Sequence, residues 1–233
     1  MRMRRRLVLS RSILCVLLLT LTGPGVRQGS ADVLLVNQLY DGVSIGRIGQ
    51  VFPDAPDFSS FQFDDFSTDK IVRVTQFIAP GFEGDTVMGP RANLAVTGQI
   101  FTDLPDKGGT LVMTGNGAED AAGVLTIDFR GQQLNPGSYW ITAFVTRNSA
   151  AGSQWFWYST NPVRGSEAFF YNPGNGFGLG TGSMPGSDAY GDVRDMAFQL
   201  FVVPEPPALV LALVGLSLAR LAVQLRRFGR RIR

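Results

Sequence analysis

Histidine is absent from the 233 residues, and the one cysteine, Cys15, stands near the start of the chain. Without imidazole or a second thiol there is no Ser-His-Asp or Cys-His catalysis, and no zinc or iron site built on nitrogen or thiolate ligands. Gly42-Val43-Ser44-Ile45-Gly46 matches the esterase pattern G-x-S-x-G. Its serine has no base and no strand-to-helix elbow around it, so the stretch reads as a loop. Disulfides are excluded too, so stability must come from a packed core, for which roughly 170 residues suffice in one domain. Cations are scarce in the middle: residues 32–203 carry nine Lys and Arg against eighteen Asp and Glu, a net charge of −9. Neutralising phosphates needs clustered cations, so nucleic acid is not a partner expected of this region.

The missing cations are at the two ends. Six arginines lie in the first 27 residues and six more in the last 14. At the front, MRMRRR leads into an apolar stretch at 13–21 and then Gly23-Pro24-Gly25, which ends any helix. Gly29-Ser30-Ala31 offers small residues to a signal peptidase, so residues 1–31 are predicted to be a signal peptide cleaved before Asp32. The apolar core is shorter than the ~20 residues a membrane span needs, which argues against an uncleaved anchor. The Arg-Arg pair also suits a twin-arginine export route. Ser12-Ile13-Leu14 does not supply the small residues that a lipoprotein cysteine at Cys15 would need.

At the back, an apolar run covers 208–219, Arg220 interrupts it, and 221–225 completes it before Arg226-Arg227. A helix over these positions is about 27 Å long, enough to cross the hydrocarbon core. An arginine at mid-membrane would cost about 2.5–3.5 kcal/mol, but Arg220 is close enough to the C-terminal end to reach the interface. The arginine cluster orients the tail to the cytoplasm and residues 32–204 outward, the topology a signal peptide also requires.

Val203-Pro204-Glu205-Pro206, one hydrophobic helix and a terminal arginine cluster together resemble the PEP-CTERM sorting signal of bacteria. The resemblance implies that residues 204–233 are recognised by exosortase, a membrane-embedded cysteine-type transpeptidase. Transient membrane insertion, cleavage near Pro204-Glu205-Pro206 and transfer to the cell surface or extracellular matrix would follow. The implied partners are the export translocase, signal peptidase and exosortase. The prolines keep the segment extended and out of the helix, so its backbone stays open to a protease. The plain alternative is a retained C-terminal anchor.

Between the two ends, helical periodicity of useful length is missing. What recurs is short β-branched and apolar runs bounded by Gly, Pro, Asn and Asp. IVRVTQFI at 71–78 and VLTIDF at 124–129 are such runs, and NPGSYWITAFV joins a turn at Asn135 to a strand over 139–145. DMAFQLFVV alternates, with Met196, Phe198 and Leu200 on one face. Further strands are expected at 33–40, 94–102, 110–114 and 154–158. About eight or nine strands predict an all-β fold, a single antiparallel β-sandwich of jelly-roll type over residues 32–203, with its first and last strands paired. FDDFSTDKIVRVTQFIAPGFEG, and the stretch from GSYWITAFV through QWFWYST and NPGNGFG to DMAFQLF, resemble a secreted β-sandwich module that recurs in PEP-CTERM proteins. No activity comes with that likeness.

Chemistry must then come from carboxylates and aromatics. Glu83, Glu119 and Glu167, with Asp64 or Asp65 opposite, are the inventory for a two-carboxylate glycosidase. Their glycine-rich and polar neighbours make them read as solvated loop charge instead. Calcium is the cofactor the composition allows, with Asp64, Asp65, Asp188, Asp192 and Asp195 as oxygen donors, although none follows a D-x-D-x-D-G loop pattern. Trp155, Phe156, Trp157 and Tyr158 form one strand with two aromatics on each face. One pair is expected in the core; the other either stacks on sugar rings or is covered by a loop such as 169–177. The glycines of Asn172-Pro173-Gly174-Asn175-Gly176 are expected to supply positive φ. The leading expectation is an exported, non-enzymatic surface or matrix protein. The alternative is a carbohydrate-binding module that attaches to extracellular polysaccharide through the aromatic strand, and a hydrolase comes last.

Overall fold

The computed structural model describes residues 32–84, 95–151, 153–204 and Arg220. The predicted signal peptide, Glu205, Pro206 and, Arg220 apart, the predicted sorting helix lie outside the described residues. Among the described residues no helix is long and apolar enough to cross a membrane. Residues 32–204 as described are all-β: their one α-helix is the five-residue α1 (Gly186–Tyr190), and three single 3-10 turns complete the helical content there.

Eleven strands form one curled sheet. In spatial order they are β1 (Val33–Gln38), β15 (Phe198–Pro204), β5 (Val72–Ala79), β9 (Leu125–Leu134), β8 (Leu111–Glu119), β7 (Ala95–Phe101), β10 (Gly137–Thr146), β4 (Phe61–Thr68), β12 (Phe169–Tyr171) and β13 (Met184–Pro185), with β3 (Gln50–Val51) beside β10. All these pairings are antiparallel except β3 with β10. First and last strands pair as the sequence predicts, Val33 opposite Val202 and Gln38 opposite Phe198. Several strands outrun their hydrophobic signal. β9 continues to Leu134, because ladder hydrogen bonds to β5 hold its polar end. In β5 the inward residues Val72, Val74, Phe77 and Ala79 break strict alternation. A register shift between Val74 and Gln76 absorbs the extra residue, and Arg130 and Gly131 across from it take positive φ, the signature of a bulge.

A second sheet of four strands is centred on β11 (Gln154–Thr160), with β2 (Gly46–Ile48), β6 (Gly81–Gly84) and β14 (Asp195–Met196) as its neighbours. Of these only β11 is not continued directly by a strand of the large sheet. β2 runs on into β3 through Gly49, β5 into β6 through Pro80, and β14 into β15 through Ala197. Each junction bonds across to β11: Gly49 N donates to Trp155 O at 3.3 Å, Tyr158 N to Pro80 O at 3.0 Å and Ala197 N to Tyr158 O at 2.8 Å. At each of these three junctions one strand bends out of the large sheet to pair with β11. DMAFQLFVV, expected to be one strand, is therefore two, because Ala197 bonds to β11 where a straight strand would bond onward to β1. The tightest junction is beside Pro80, where a side chain at Gly81 would sit 2.5 Å from the Phe156 carbonyl and 2.6 Å from the Trp155 ring, so that corner requires glycine.

Trp155 and Trp157 point from β11 onto the inner face of the large sheet, where Phe77, Ile127, Phe129, Ile141 and Phe198 complete the core. Trp157 meets Phe77 edge-on at 5.8 Å. Both indoles are satisfied, Trp155 donating to Gly123 O at 2.7 Å and Trp157 to Ala197 O at 2.6 Å. Truncating either ring to alanine would cost about 3–5 kcal/mol.

Candidate functional site

The aromatic strand is the first place to look for a ligand platform. Trp155 and Trp157 are fully buried and offer a ligand no surface. Phe156 and Tyr158 lie half-buried on the outer face, where they spend their ring faces on neighbours. Tyr40 stacks on Tyr158 at 3.9 Å and 15°, and Phe82 lies 5.0 Å from Tyr158 and 5.3 Å from Phe156. The result is a self-stacked ladder of four rings, not an open coplanar patch. The predicted covering loop is elsewhere, and Phe82 and Tyr40, which alternation along β11 could not reveal, do the covering.

The acidic candidates divide into two buried constellations. In the first, Asp64 of β4 meets Asp195 of β14, and both are fully buried. Gln38, the last residue of β1, donates its amide N–H groups to Asp64 Oδ2 and Asp195 Oδ2, each at 3.1 Å. Backbone donors add to this: Met196 N and Asp65 N reach Asp64 at 2.7 and 2.8 Å, and Arg164 N reaches Asp195 at 2.5 Å. Asp195 Oδ1 is buried without a hydrogen-bond partner. Burial and the facing Asp195 push the Asp64 carboxyl well above the usual carboxylate range. Burial pushes Asp195 up to about 7, with Asp65 adding to the rise and Arg164 and Arg47 opposing it. Such a pair holds a proton near neutral pH, the electrostatic pattern of an acid–base couple. Neither carboxyl has solvent-accessible surface through which a substrate would reach it. A cavity of about 310 Å³ opens beside them, between residues 35–38 of β1, residues 65–67 of β4 and Arg164-Gly165.

In the second constellation Arg147, just beyond β10, binds Glu83 of β6 through two N–H groups at 2.7 and 2.8 Å and Glu119 of β8 at 3.2 Å. Ser153 Oγ also donates to Glu83. The three charged side chains are almost entirely buried. Burial alone would raise the Glu83 carboxyl, but hydrogen bonds from Arg147, Glu119 and Ser153 together bring it down to about 2. Glu83 and Glu119 are thus buried strand residues paired with a cation, not solvated loop charge. A carboxyl held so low is no general acid at neutral pH. The signal for this site was faint: one arginine ending an apolar strand.

The remaining candidates disperse. Glu167 accepts from Ser187 N and Oγ at 2.8 Å each. Asp192 pairs with Arg47 at 2.7 Å and with Arg194 at 3.1 Å. Asp65 accepts from Ser166 N, and Asp188 is exposed on α1. The proposed calcium donors Asp64, Asp65, Asp188 and Asp192 do not converge: among the described residues no group of three Asp, Glu, His or Cys is placed to hold a metal ion. Ser44 is buried, donating to Asp41 and accepting from Arg194, as befits a loop serine. Val203 and Pro204 close β15, opposite Arg73 and Val72.

The loop at residues 172–180 is the most constructed irregular segment. Asn172 is fully buried, and its amide donates to Asp57 O at 2.7 Å and Ser59 O at 2.8 Å, tying the loop to the 3-10 turn Pro56–Phe58. Gly174 and Gly176 are glycine for close approach, since a side chain at either would collide with the Asp57 backbone. Positive φ falls instead on Asn175, Gly178 and Gly180, and Asn175 Oδ1 accepts from Gly180 N. The clamp sets Phe177 beside Phe58, ring centres 5.8 Å apart and nearly perpendicular.

No protein-family profile matches the chain, and no curated protein matches it.

Proposed function

We propose that the protein is an exported, non-enzymatic component of the cell surface or extracellular matrix. In this reading residues 1–31 direct export, residues 32–203 persist as a jelly-roll-like β-sandwich, and residues 204–233 are a PEP-CTERM sorting signal that inserts transiently in the membrane. Exosortase then cuts at Pro204-Glu205-Pro206. The observation that carries it is the pairing of β1 with β15 close to the two expected cuts. β1 starts at Val33, one residue after the peptidase cut, and β15 ends at Pro204, the first residue of the sorting motif. These two strands pair with each other, so cuts before Asp32 and beyond Pro204 leave the ladder whole. The Trp155 and Trp157 face packed on the large sheet supports the sandwich reading, and the sealing of both carboxylate clusters supports a role in binding or structure over catalysis.

Mass spectrometry of the protein recovered from its native host tests the proposal. The expected species starts at Asp32 and lacks residues beyond about Pro206. A chain that keeps its C-terminus outside the cell, or that is found soluble and full-length inside it, overturns the reading.

A further inference from the structure

We infer that the groove between Phe58 and Phe177 is a binding site for neutral sugar rings of an extracellular polysaccharide, an inference that rests on the reading of the domain as exported. The groove encloses about 240 Å³. Typical small-molecule pockets hold about 300–1,000 Å³, so this one has room for a single ring of a longer chain. Phe52 forms a buried floor, while Phe58 and Phe177 stand at the rim with 48% and 42% of their surfaces exposed. Large apolar rings left half in water at the mouth of a cavity are a departure from core packing that a ligand face would complete. The C–H face of a pyranose suits a phenyl ring, and its hydroxyls need donors and acceptors alongside.

The groove supplies both. The Gln154 amide, exposed at the start of β11, offers a donor and an acceptor, and the Ser149 hydroxyl, already donating to Asp54 at 2.7 Å, keeps lone pairs to accept. Charge narrows the ligand further. Among the described residues the lining holds no Asp, Glu, Lys or Arg, although residues 32–203 as a whole carry a net charge of −9. A polyanion is repelled by the domain, and a cation finds no carboxylate among the described residues of the groove. A neutral polymer fits. The rings are held in advance by the Asn172 clamp and by the close approach of Gly174 and Gly176 to Asp57, so little order has to be created on binding.

Native gels cast with a neutral glucan, mannan or galactan, or with anionic alginate, test this on the full chain in mild detergent. At least one neutral polymer should retard the protein while alginate does not. The double variant Phe58→Ala/Phe177→Ala should bind roughly tenfold more weakly, the loss expected of forfeited ring stacking. Its circular dichroism should match the parent and its thermal midpoint should fall only modestly, because both rings are half-exposed, although Phe177 also meets Phe170 at 6.1 Å. An unretarded protein in every neutral gel, retardation by alginate alone, or a double variant that binds as the parent does would each overturn the inference. The gels do not depend on processing and the mass spectrum does not depend on binding, so the two readings fail separately.

Discussion

Two pairs of buried carboxylates sit in one small domain and have opposite electrostatics. Glu83 and Glu119 share the Arg147 guanidinium, and Glu83 is drawn down to about 2. Asp64 and Asp195 share only the neutral Gln38 amide, and Asp195 is pushed up to about 7. Burial raises the carboxyl in both places, so burial does not separate them. The partner does: a full positive charge and its hydrogen bonds outweigh desolvation, whereas an amide and a few backbone N–H groups do not. The first site is a charged clamp joining β6, β8 and the end of β10. The second is a protonated seam joining β1, β4 and β14.

Removing the cation gives the largest expected effect. Arg147→Met leaves the Glu83 carboxylate buried without its cation, and should cost about 3–5 kcal/mol in urea unfolding at neutral pH. Adding Glu83→Gln to it should recover part of the loss, because one uncompensated charge is then gone. If Arg147→Met unfolds at the parent's urea midpoint, the contrast between the sites has another origin.

Next is the pH dependence, which carries opposite signs at the two sites. Glu83 titrates lower when folded than when unfolded, so its stabilisation is present above about pH 4 and is lost as pH falls toward 2. Asp41, Asp54 and Asp106, also lowered, act in the same direction. Asp64 and Asp195 titrate higher when folded, so their contribution is complete below about pH 4 and is lost as pH rises through about 7. The groups facing that seam are Asp65, Arg164 and Arg47, and the two arginines blunt the rise without cancelling it. Thermal midpoints should therefore peak in mildly acidic buffer. Asp195→Asn, which keeps the shape and cannot ionise, should flatten the alkaline limb and stabilise the domain at pH 8 by on the order of a few kcal/mol. An alkaline limb unchanged in that variant would show that the seam is not its source.

The smallest effect sharpens the comparison from within the first site. Ser153→Ala removes one hydroxyl donor to Glu83 but leaves both Arg147 contacts to it. A loss of about 1.5–3 kcal/mol is expected, in line with one hydrogen bond to a charged group. A loss as large as that of Arg147→Met would mean the hydroxyl, not the charge, carries the clamp.

Local patterning was legible in the residues because it is a short-range property. β-Branched and apolar runs located β5, β7, β10, β11 and β15 to within a few residues, and the Asn135-Pro136 turn and the pairing of the first and last strands were readable too. The short strands β2, β3, β6, β12, β13 and β14 carry two to four residues each, too few for a period to emerge.

The amino-acid order alone decided the all-β class, the acidic centre between basic ends, and the absence of imidazole and thiol chemistry, since composition and alternation need no third dimension. Only the tertiary structure decided that the tryptophans face inward, that Phe82 and Tyr40 stack on the other two rings, and that Gln38, Asp64 and Asp195 meet from positions far apart in the chain. It also decided which carboxylates are charged. Ionisation inside a protein depends on what lies within a few ångströms, and those neighbours are chosen by the closing of the sheets, not by adjacency along the chain.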